Sequence, residues 1–267
     1  MNPDSFVTVL ITVFNGSKTL DRCLESILAQ THRNVKVVCV NDASTDDTFE
    51  KLLLWREKFG KDRFLLLSNE KNLGVTKSSN RGLGEIDTEY TSRIDADDWW
   101  DKDKLAKQLH FFKDNPDYGI IGCNYINFNK TLRNKVVTPK EDEIIKKIII
   151  KRNPFAHSCV IYKTVLAKKI GGYNESIKYG GDYELYLRFY PKTKFHNIQE
   201  FLCFRSIESE GISITKQREQ MLQGVKTKIK YIQMYHLPKI NYIYLTELFV
   251  VAFTPKIIRD FKRALFG

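Results

Sequence analysis

The sequence predicts an α/β fold, a mostly parallel central sheet flanked by helices, with a helical extension at the C-terminal end. Two observations predict the sheet. Short apolar, β-branched runs alternate with stretches of helical spacing, which is the signature of βαβ units. The runs are almost continuously apolar, as strands covered on both faces must be. A third observation predicts the extension. Residues 212–267 carry ten Lys and Arg against three acids, a change of character from what precedes them.

The elements follow in order. Residues 7–13 form the first strand. Asn15-Gly16 is a turn signal, and Ser17 is a candidate helix cap. Leu20, Cys23, Leu24, Ile27 and Leu28 then recur at helical spacing. Residues 35–40 form the second strand, broken by the polar run 41–46. A helix follows, with Phe49, Leu52 and Leu53 expected on its apolar side. Residues 64–67 and 90–94 read as the third and fourth strands, and Ile120-Ile121 lies in another further on. In an open sheet of this kind ligands bind at the carboxyl ends of the strands. The polar clusters Asn41-Asp42, 72–74 and 95–98 each follow an apolar segment, so they are expected to converge on one edge. In the extension, residues 242–253 are apolar apart from a few positions such as Glu247. Pro255 opens a short helix with Ile257, Ile258, Phe261 and Leu265 on one side and Lys256, Arg259, Lys262 and Arg263 mostly on the other.

Composition narrows the function classes. The chain has 267 residues, 42% hydrophobic and 28% charged, which excludes disorder and disulfide-dense miniproteins. A net charge of +11 points to an anionic partner: nucleic acid, a phosphorylated ligand or an acidic lipid surface. No run approaches ~20 apolar residues, so no transmembrane helix is expected. Residues 1–4 lack a basic start and an apolar run, so no secretory signal is expected. The five cysteines (Cys23, Cys39, Cys123, Cys159, Cys203) form no CxxC pair. Free buried thiols in a reducing, cytoplasmic compartment are the expectation.

The chemistry concentrates in residues 93–98, RIDADD. If the strand continues, its alternation puts Asp95 and Asp97 on one side. Two hard oxygen donors suit Mg²⁺ or Mn²⁺ shared with phosphate. A solvated acidic turn capping a helix that begins near Asp101 is the plain alternative. Asp42 follows a strand and can accept an imide N–H such as that of uracil; an Asx-turn or a helix cap is the competing reading.

Six stretches in order resemble the inverting family 2 glycosyltransferases with the Rossmann-like glycosyltransferase-A fold: VLITVFN at 9–15, VNDASTD at 40–46, NLGVTKSSN at 72–80, RIDADD at 93–98, GGYNE at 171–175 and GDYEL at 181–185. The resemblance spans about residues 6–211. It implies a catalytic domain over 1–211, with 1–123 serving the nucleotide sugar and 124–211 the acceptor, followed by the basic helical extension 212–267. It implies that Thr12, Phe14 and Asn15 border the nucleotide, that Asp42 binds uracil, and that Asn72, Gly74 and Lys77 line the nucleotide site. Arg93, Asp95 and Ala96 fall on the donor side. Asp95 would lie near ribose and metal, and Asp97 would hold the metal on the donor diphosphate. Asp182 matches the general base. The implied cofactors are Mn²⁺ or Mg²⁺ and a nucleotide sugar, a UDP-sugar above others. The implied acceptor is a glycan or a lipid-linked saccharide.

Two positions depart from the family pattern. Gly181 stands where an acid often precedes the base. No histidine follows Arg205, although the Arg205 fork still suits phosphate, and a salt bridge is its alternative. His157 matches a position near the acceptor, or is a hydrogen-bonded structural histidine. Trp99 and Trp100 form either a sugar-stacking platform or core packing. Residues 241–267 resemble membrane-associating tails and suit an anionic leaflet, which would make the protein peripheral at the cytoplasmic face; packing on the domain is the alternative. Two other functions fit the residues less well. A sugar-nucleotide nucleotidyltransferase needs a glycine-rich phosphate loop, which residues 12–18 do not provide. A nonenzymatic nucleic-acid binder needs aromatic-basic or zinc-ligand motifs that are absent, so no nucleic acid is expected. No GxGxxG follows the first strand, which disfavours dinucleotide oxidoreduction.

Overall fold

The computed structural model describes residues 5–129, 133–207 and 217–246. The described strands are β1 (Val7–Val13), β2 (Val35–Asn41), β3 (Phe64–Ser68), β4 (Tyr90–Asp95), β5 (Trp99–Trp100), β6 (Tyr118–Phe128), β7 (Arg133–Val136), β8 (Ile161–Lys163) and β9 (Lys194–Ser206). The described α-helices are α1 (Leu20–Leu28), α2 (Thr48–Phe59), α3 (Val75–Gly84), α4 (Lys104–Asp114), α5 (Asp142–Ile148), α6 (Thr164–Lys169), α7 (Gly181–Phe189) and α8 (Gln217–Met234).

One sheet runs in the order β3-β2-β1-β4-β8-β6-β9-β5, with β7 on β6. The expected parallel sheet is its first half: β2 lies between β3 and β1, β1 between β2 and β4, all parallel. Beyond β4 the sheet is mixed. β8 is antiparallel to β4 and to β6, β9 is parallel to β6, and β5 is antiparallel to β9. The sequence hid this half because, the β6–β7 hairpin aside, its strands pair across separations of about 40 to 105 residues and carry polar stretches.

Strand alternation sorts two cores. Val7, Val9 and Ile11 face α1 and α2, against Leu24, Ile27, Leu52 and Trp55. Leu10 and Val38 face the other way, with Leu83 of α3, Tyr186 and Phe189 of α7, and Tyr231 of α8. Gly82 lets α3 lie flat on the sheet: a Cβ there would sit 2.3 Å from Leu10 Cδ1 and 3.0 Å from Val40 Cγ2. All five cysteines are free and buried.

Three local expectations are corrected. The buried side of α2 is Leu52, Trp55 and Phe59, while Phe49 and Leu53 are each 37% exposed. Trp55 decides the matter: its Nε1 donates to Asp21 of α1 at 2.8 Å, which fixes the rotation of the helix. Ser17 does not cap α1. The cap position is Thr19, and the Ser17 amide instead donates to Asp46 at 3.2 Å. The helix expected near Asp101 begins at Lys104; Asp101 accepts from the Asp103 amide in the preceding turn. Of the basic extension, α8 is described and residues 247–267, including the Pro255 helix, lie outside the described residues. Among the described residues no helix is long and apolar enough to cross a membrane.

Candidate active site

The register places the carboxyl ends of β2 and β4 on either side of β1: Val13 is opposite Asn41, and Thr12 is opposite Asp95. Strands lie ~4.8 Å apart, so Asp42 and Asp95 are roughly 10 Å apart across the end of β1. Thr12 is half-buried between them, and Phe14 and Asn15 are exposed at the rim.

The loops after β1 and β2 are stitched together. Asn15 Oδ1 accepts from the Thr45 amide at 2.8 Å, and the Asn15 amide donates to Ser44 Oγ at 3.0 Å. The Gly16 amide donates to Thr48 Oγ1 at 2.9 Å. Asn15 and Ala43 take φ of 51° and 60°. Asparagine tolerates that left-handed region; for Ala43 it is a strained conformation that the surrounding bonds hold. Asp46 organises the stitch. Desolvation works against its charge, but bonds from Thr48 and Ser17 prevail and bring its pKa down to about 2. An open cleft of about 520 Å³ lies beyond this loop, between Asn41, Thr45, Phe49, Asn69 and Glu70.

Asp42 is buried, and the segment after β3 wraps around it. Its Oδ1 accepts from Asn69 Nδ2 at 2.6 Å and from the Leu73 amide at 2.8 Å; its Oδ2 accepts from the Gly74 amide at 2.9 Å. Gly74, at φ 85°, turns the chain into α3. Asn72 and Lys77 are exposed on this segment. Asp42 therefore shapes the loop through three of its lone-pair sites and keeps one on Oδ2. That is a tethering role beside the expected base-recognition role.

At the end of β4 the strand stops at Asp95. The Asp98 amide donates to the Asp95 carbonyl at 3.0 Å, a turn over Ala96 and Asp97. Asp97 thus stands in a turn and not on the strand, so alternation does not set its direction. Asp98 is buried; its Oδ1 accepts from the Ser206 amide at 2.8 Å, and Arg205 Nε is 3.8 Å from its Oδ2. Burial, then the charges of Asp97 and Asp95, push Asp98 up to about 8.

Arg93 is fully buried beneath Asp95. Its donors go to the Leu10 carbonyl at 2.8 Å, to His157 Nε2 at 3.1 Å and to Asp95 Oδ1 at 3.2 Å. It acts on the site through those neighbours. Burial opposes the charge of Asp95, but His157, Arg93 and Arg205 outweigh it and hold the carboxyl below its usual range. His157 Nδ1 lies 3.6 Å from Asp95. Burial and Arg93 drive His157 down to about 4, against the pull of Asp95 and Asp182. The ring is neutral at pH 7. Because Arg93 can only donate, Nε2 is the acceptor and the ring proton belongs on Nδ1, toward Asp95.

Among the described residues no three His, Cys, Asp or Glu side chains form a closed metal cage. An Mg²⁺ or Mn²⁺ shared with a diphosphate needs only one or two carboxylates, the remaining ligands being phosphate oxygens and water. Asp95 and Asp97 are the carboxylates that would supply that donor set. Their charges, after burial, raise Asp98, and a cation would relieve that repulsion, so these residue types fit the ion.

Asp182 sits half-buried in the first turn of α7, where Gly180 in the left-handed region starts the helix. Its Oδ2 accepts from Asn153 Nδ2 at 3.2 Å. It reaches the β4 cluster through the field it exerts on His157 and Tyr173, whose hydroxyl is 3.1 Å from His157 Nε2. Gly181 has a reason of its own: a Cβ there would sit 3.1 Å from Thr76 Oγ1 of α3. Trp99 is half-buried, stacked on Phe204 at 5.5 Å, with the Arg22 guanidinium 3.7 Å from its ring centre. Its own neighbours occupy the ring, so it packs and does not present an open platform. Trp100 is core, its Nε1 donating to the Ser158 carbonyl at 2.7 Å.

The structure thus gathers Arg93, Asp95, His157 and Arg205 with Asp97 and Asp98 at one edge, with Asp182 in electrostatic reach, and keeps Asp42, Asn72, Gly74 and Lys77 as a second group across β1. Sequence reasoning missed Arg22, which donates to the Asp97 carbonyl at 2.9 Å, and Ser158, whose Oγ accepts from the Asp95 amide at 3.0 Å. Ser158 could have been found from its place beside His157. Nothing local marks Arg22.

Known proteins share this fold. The family model described as Glycosyl transferase family 2 matches residues 8–171. The putative glycosyltransferase EpsE of Bacillus subtilis is 26% identical, over 97% of this chain and 94% of that protein. The crystal structure of S. aureus TarS 1-349 in complex with UDP-GlcNAc superposes with a TM-score of 0.73 at 19% identity, covering 93% of this chain and 73% of that one. The mannosyltransferase PcManGT from Pyrobaculum calidifontis in complex with GDP-Man and Mn²⁺ gives 0.68 at 17%, covering 98% and 80%.

Proposed function

The chain belongs to glycosyl transferase family 2, and from that premise we propose that it moves a sugar from a UDP-sugar to a hydroxyl of a glycan or lipid-linked acceptor in one inverting displacement. The observation that carries the proposal is the division of the site: the carboxylates Asp95 and Asp97 at the end of β4, and Asp182 in the first turn of α7, within electrostatic reach of His157. The UDP-GlcNAc and GDP-Man complexes of the two structural neighbours support a nucleotide-sugar donor.

In this reading residues 1–123 hold the donor, with Asp42 and the 72–74 loop around the base, and residues 124–211 face the acceptor. Asp97 and Asp95 would hold a divalent ion on the donor side. That ion, when bound, neutralises the charge developing on the leaving group. Arg93 keeps Asp95 ionised and aimed. Asp182 takes the acceptor hydroxyl proton as the acceptor oxygen bonds to the anomeric carbon; the bond from that carbon to the diphosphate breaks with its electron pair going to the diphosphate. No covalent sugar–enzyme intermediate forms.

The test is a panel of nucleotide sugars offered with Mn²⁺ and with Mg²⁺, read first as nucleoside diphosphate release and then as product mass. Release from a UDP-sugar that requires the ion is the expected result. A full panel with no diphosphate released in either ion would refute the proposal.

A further inference from the structure

The bonding of α5 continues past its last regular residue. The Ile149 amide donates to Ile145 and the Arg152 amide to Ile148, each at 2.9 Å, which folds 149–152 as a turn against the end of the helix. Lys147 stands in the last turn of α5, and Lys151 and Arg152 in the turn that follows. All three are exposed. Lys146 beside them is paired with Asp142 at 3.0 Å. Lys147 and Arg152 have no ion pair or side-chain hydrogen bond among the described residues, and the Lys151 ammonium has only the Tyr244 ring, 5.6 Å from its centre.

Cations at a helix end ordinarily serve its unpaired carbonyls and its dipole. Here Lys228 of α8 already fills that role, donating from Nζ to the Lys151 carbonyl at 2.7 Å. Among the described residues no acid lies within ion-pair distance of Lys147, Lys151 or Arg152, although Glu143 is one helical turn before Lys147. Their location supplies the missing purpose. The residue after Arg152 is Asn153, which bonds the Asp182 carboxylate, and the Tyr183 hydroxyl donates to the Ile149 carbonyl at 2.5 Å. The cationic turn is fastened to the start of α7, beside the proposed base.

We propose that Lys147, Lys151 and Arg152 receive an oxyanion of the acceptor, so that the hydroxyl presented to Asp182 belongs to a sugar bearing a phosphate or a carboxylate. The proposal rests on Asp182 as the base. Guanidinium and ammonium groups on long stems suit such a group at the mouth of a site.

The test uses three probes on the full chain held saturated with UDP and Mg²⁺: glucose 1-phosphate, glucuronic acid and methyl glucoside. At low salt one or both anionic sugars should bind at least tenfold more tightly than the neutral one. Which of them does so separates phosphate from carboxylate. The K151Q/R152Q double variant should weaken anionic binding at least fivefold and leave UDP and methyl glucoside binding unchanged. Equal affinities for all three probes, or no effect of the double variant, would overturn the proposal. Loss of binding to phosphatidylglycerol vesicles in the double variant, with no discrimination among the sugars, would assign the cations to a lipid surface and overturn it as well. UDP binding is read separately: if UDP fails to bind, the donor reading falls, while the phosphate probe still decides the anion site.

Discussion

Asp97 and Asp182 have separable duties in the proposed reaction, and substitution should separate them. Asp97→Asn should cut transfer by at least about 10²-fold, the scale of losing one group that stabilises developing charge, in assays at moderate Mn²⁺; unchanged turnover there would remove its metal role. Asp182→Asn should cut transfer by ~10²–10⁴-fold, as loss of a general base does, while UDP affinity measured by calorimetry stays as it was. A parallel loss of UDP binding would make Asp182 a structural acid. His157 gives a pH signature. Its folded pKa of about 4 lies below the ordinary 6.5, so the unfolded chain binds the extra proton first. Its contribution to stability is present above 6.5 and is lost as pH falls through the window down to 4. Urea unfolding should show stability decreasing across that window, with a shallower slope in His157→Gln; equal slopes would contradict the buried neutral ring. At this scale the sequence told residue types well and directions poorly. Asp95 could be placed because the strand holds to its end. Asp97 could not, because one backbone bond from Asp98 ends the alternation.

Between elements the tightest joint is Glu184. Buried in α7, it accepts from Arg188 Nε at 2.9 Å, from the Tyr231 hydroxyl of α8 at 2.5 Å and from Asn174 at 3.3 Å. Burial, then Glu184 itself, push the Tyr231 hydroxyl well above its ordinary value, as expected of a donor committed to a carboxylate. Glu184→Ala strands a half-buried guanidinium and a buried hydroxyl. It should cost about 3 kcal/mol of unfolding free energy, the scale for breaking a buried pair on one side, and should loosen α8 toward protease; a change under about 1 kcal/mol would mean the joint is a surface contact. Elements with a clean period, β1, α1 and β2, were legible from spacing alone. α2 was not, since Phe49 and Leu53 are as apolar as the residues it buries and only the partner Asp21 selects Trp55. β9 and β5 were hidden because their partners are remote in sequence and a half-polar strand carries no local signal.

At the scale of the molecule, family membership and the open-sheet edge were readable because six short motifs kept their order, while the mixed half of the sheet and the contacts of Arg22 and Ser158 needed coordinates. The basic extension divides in two. Residues 241–246, the beginning of the segment read as membrane-associating, belong to the domain: Leu245 is 5% exposed and Tyr244 lies under Lys151. The membrane expectation therefore concerns 247–267. Removing those residues should leave the melting temperature within about 2 °C, well inside the shift that 1 kcal/mol produces at this size, and should reduce co-sedimentation with anionic vesicles at least about threefold, given the ~1 kcal/mol attached to each basic residue near such a surface. Unchanged sedimentation would end the membrane reading.

The guanidinium sealed under the end of β4 has a consequence for how the enzyme tolerates its surroundings. Arg93 turns donors onto Asp95, His157 and the Leu10 carbonyl from below the strand end. Despite its burial, the carboxylate above it is held below its usual range by His157, Arg93 and Arg205, so readiness to accept a cation should persist in mildly acidic media where an ordinary surface acid would already have faded.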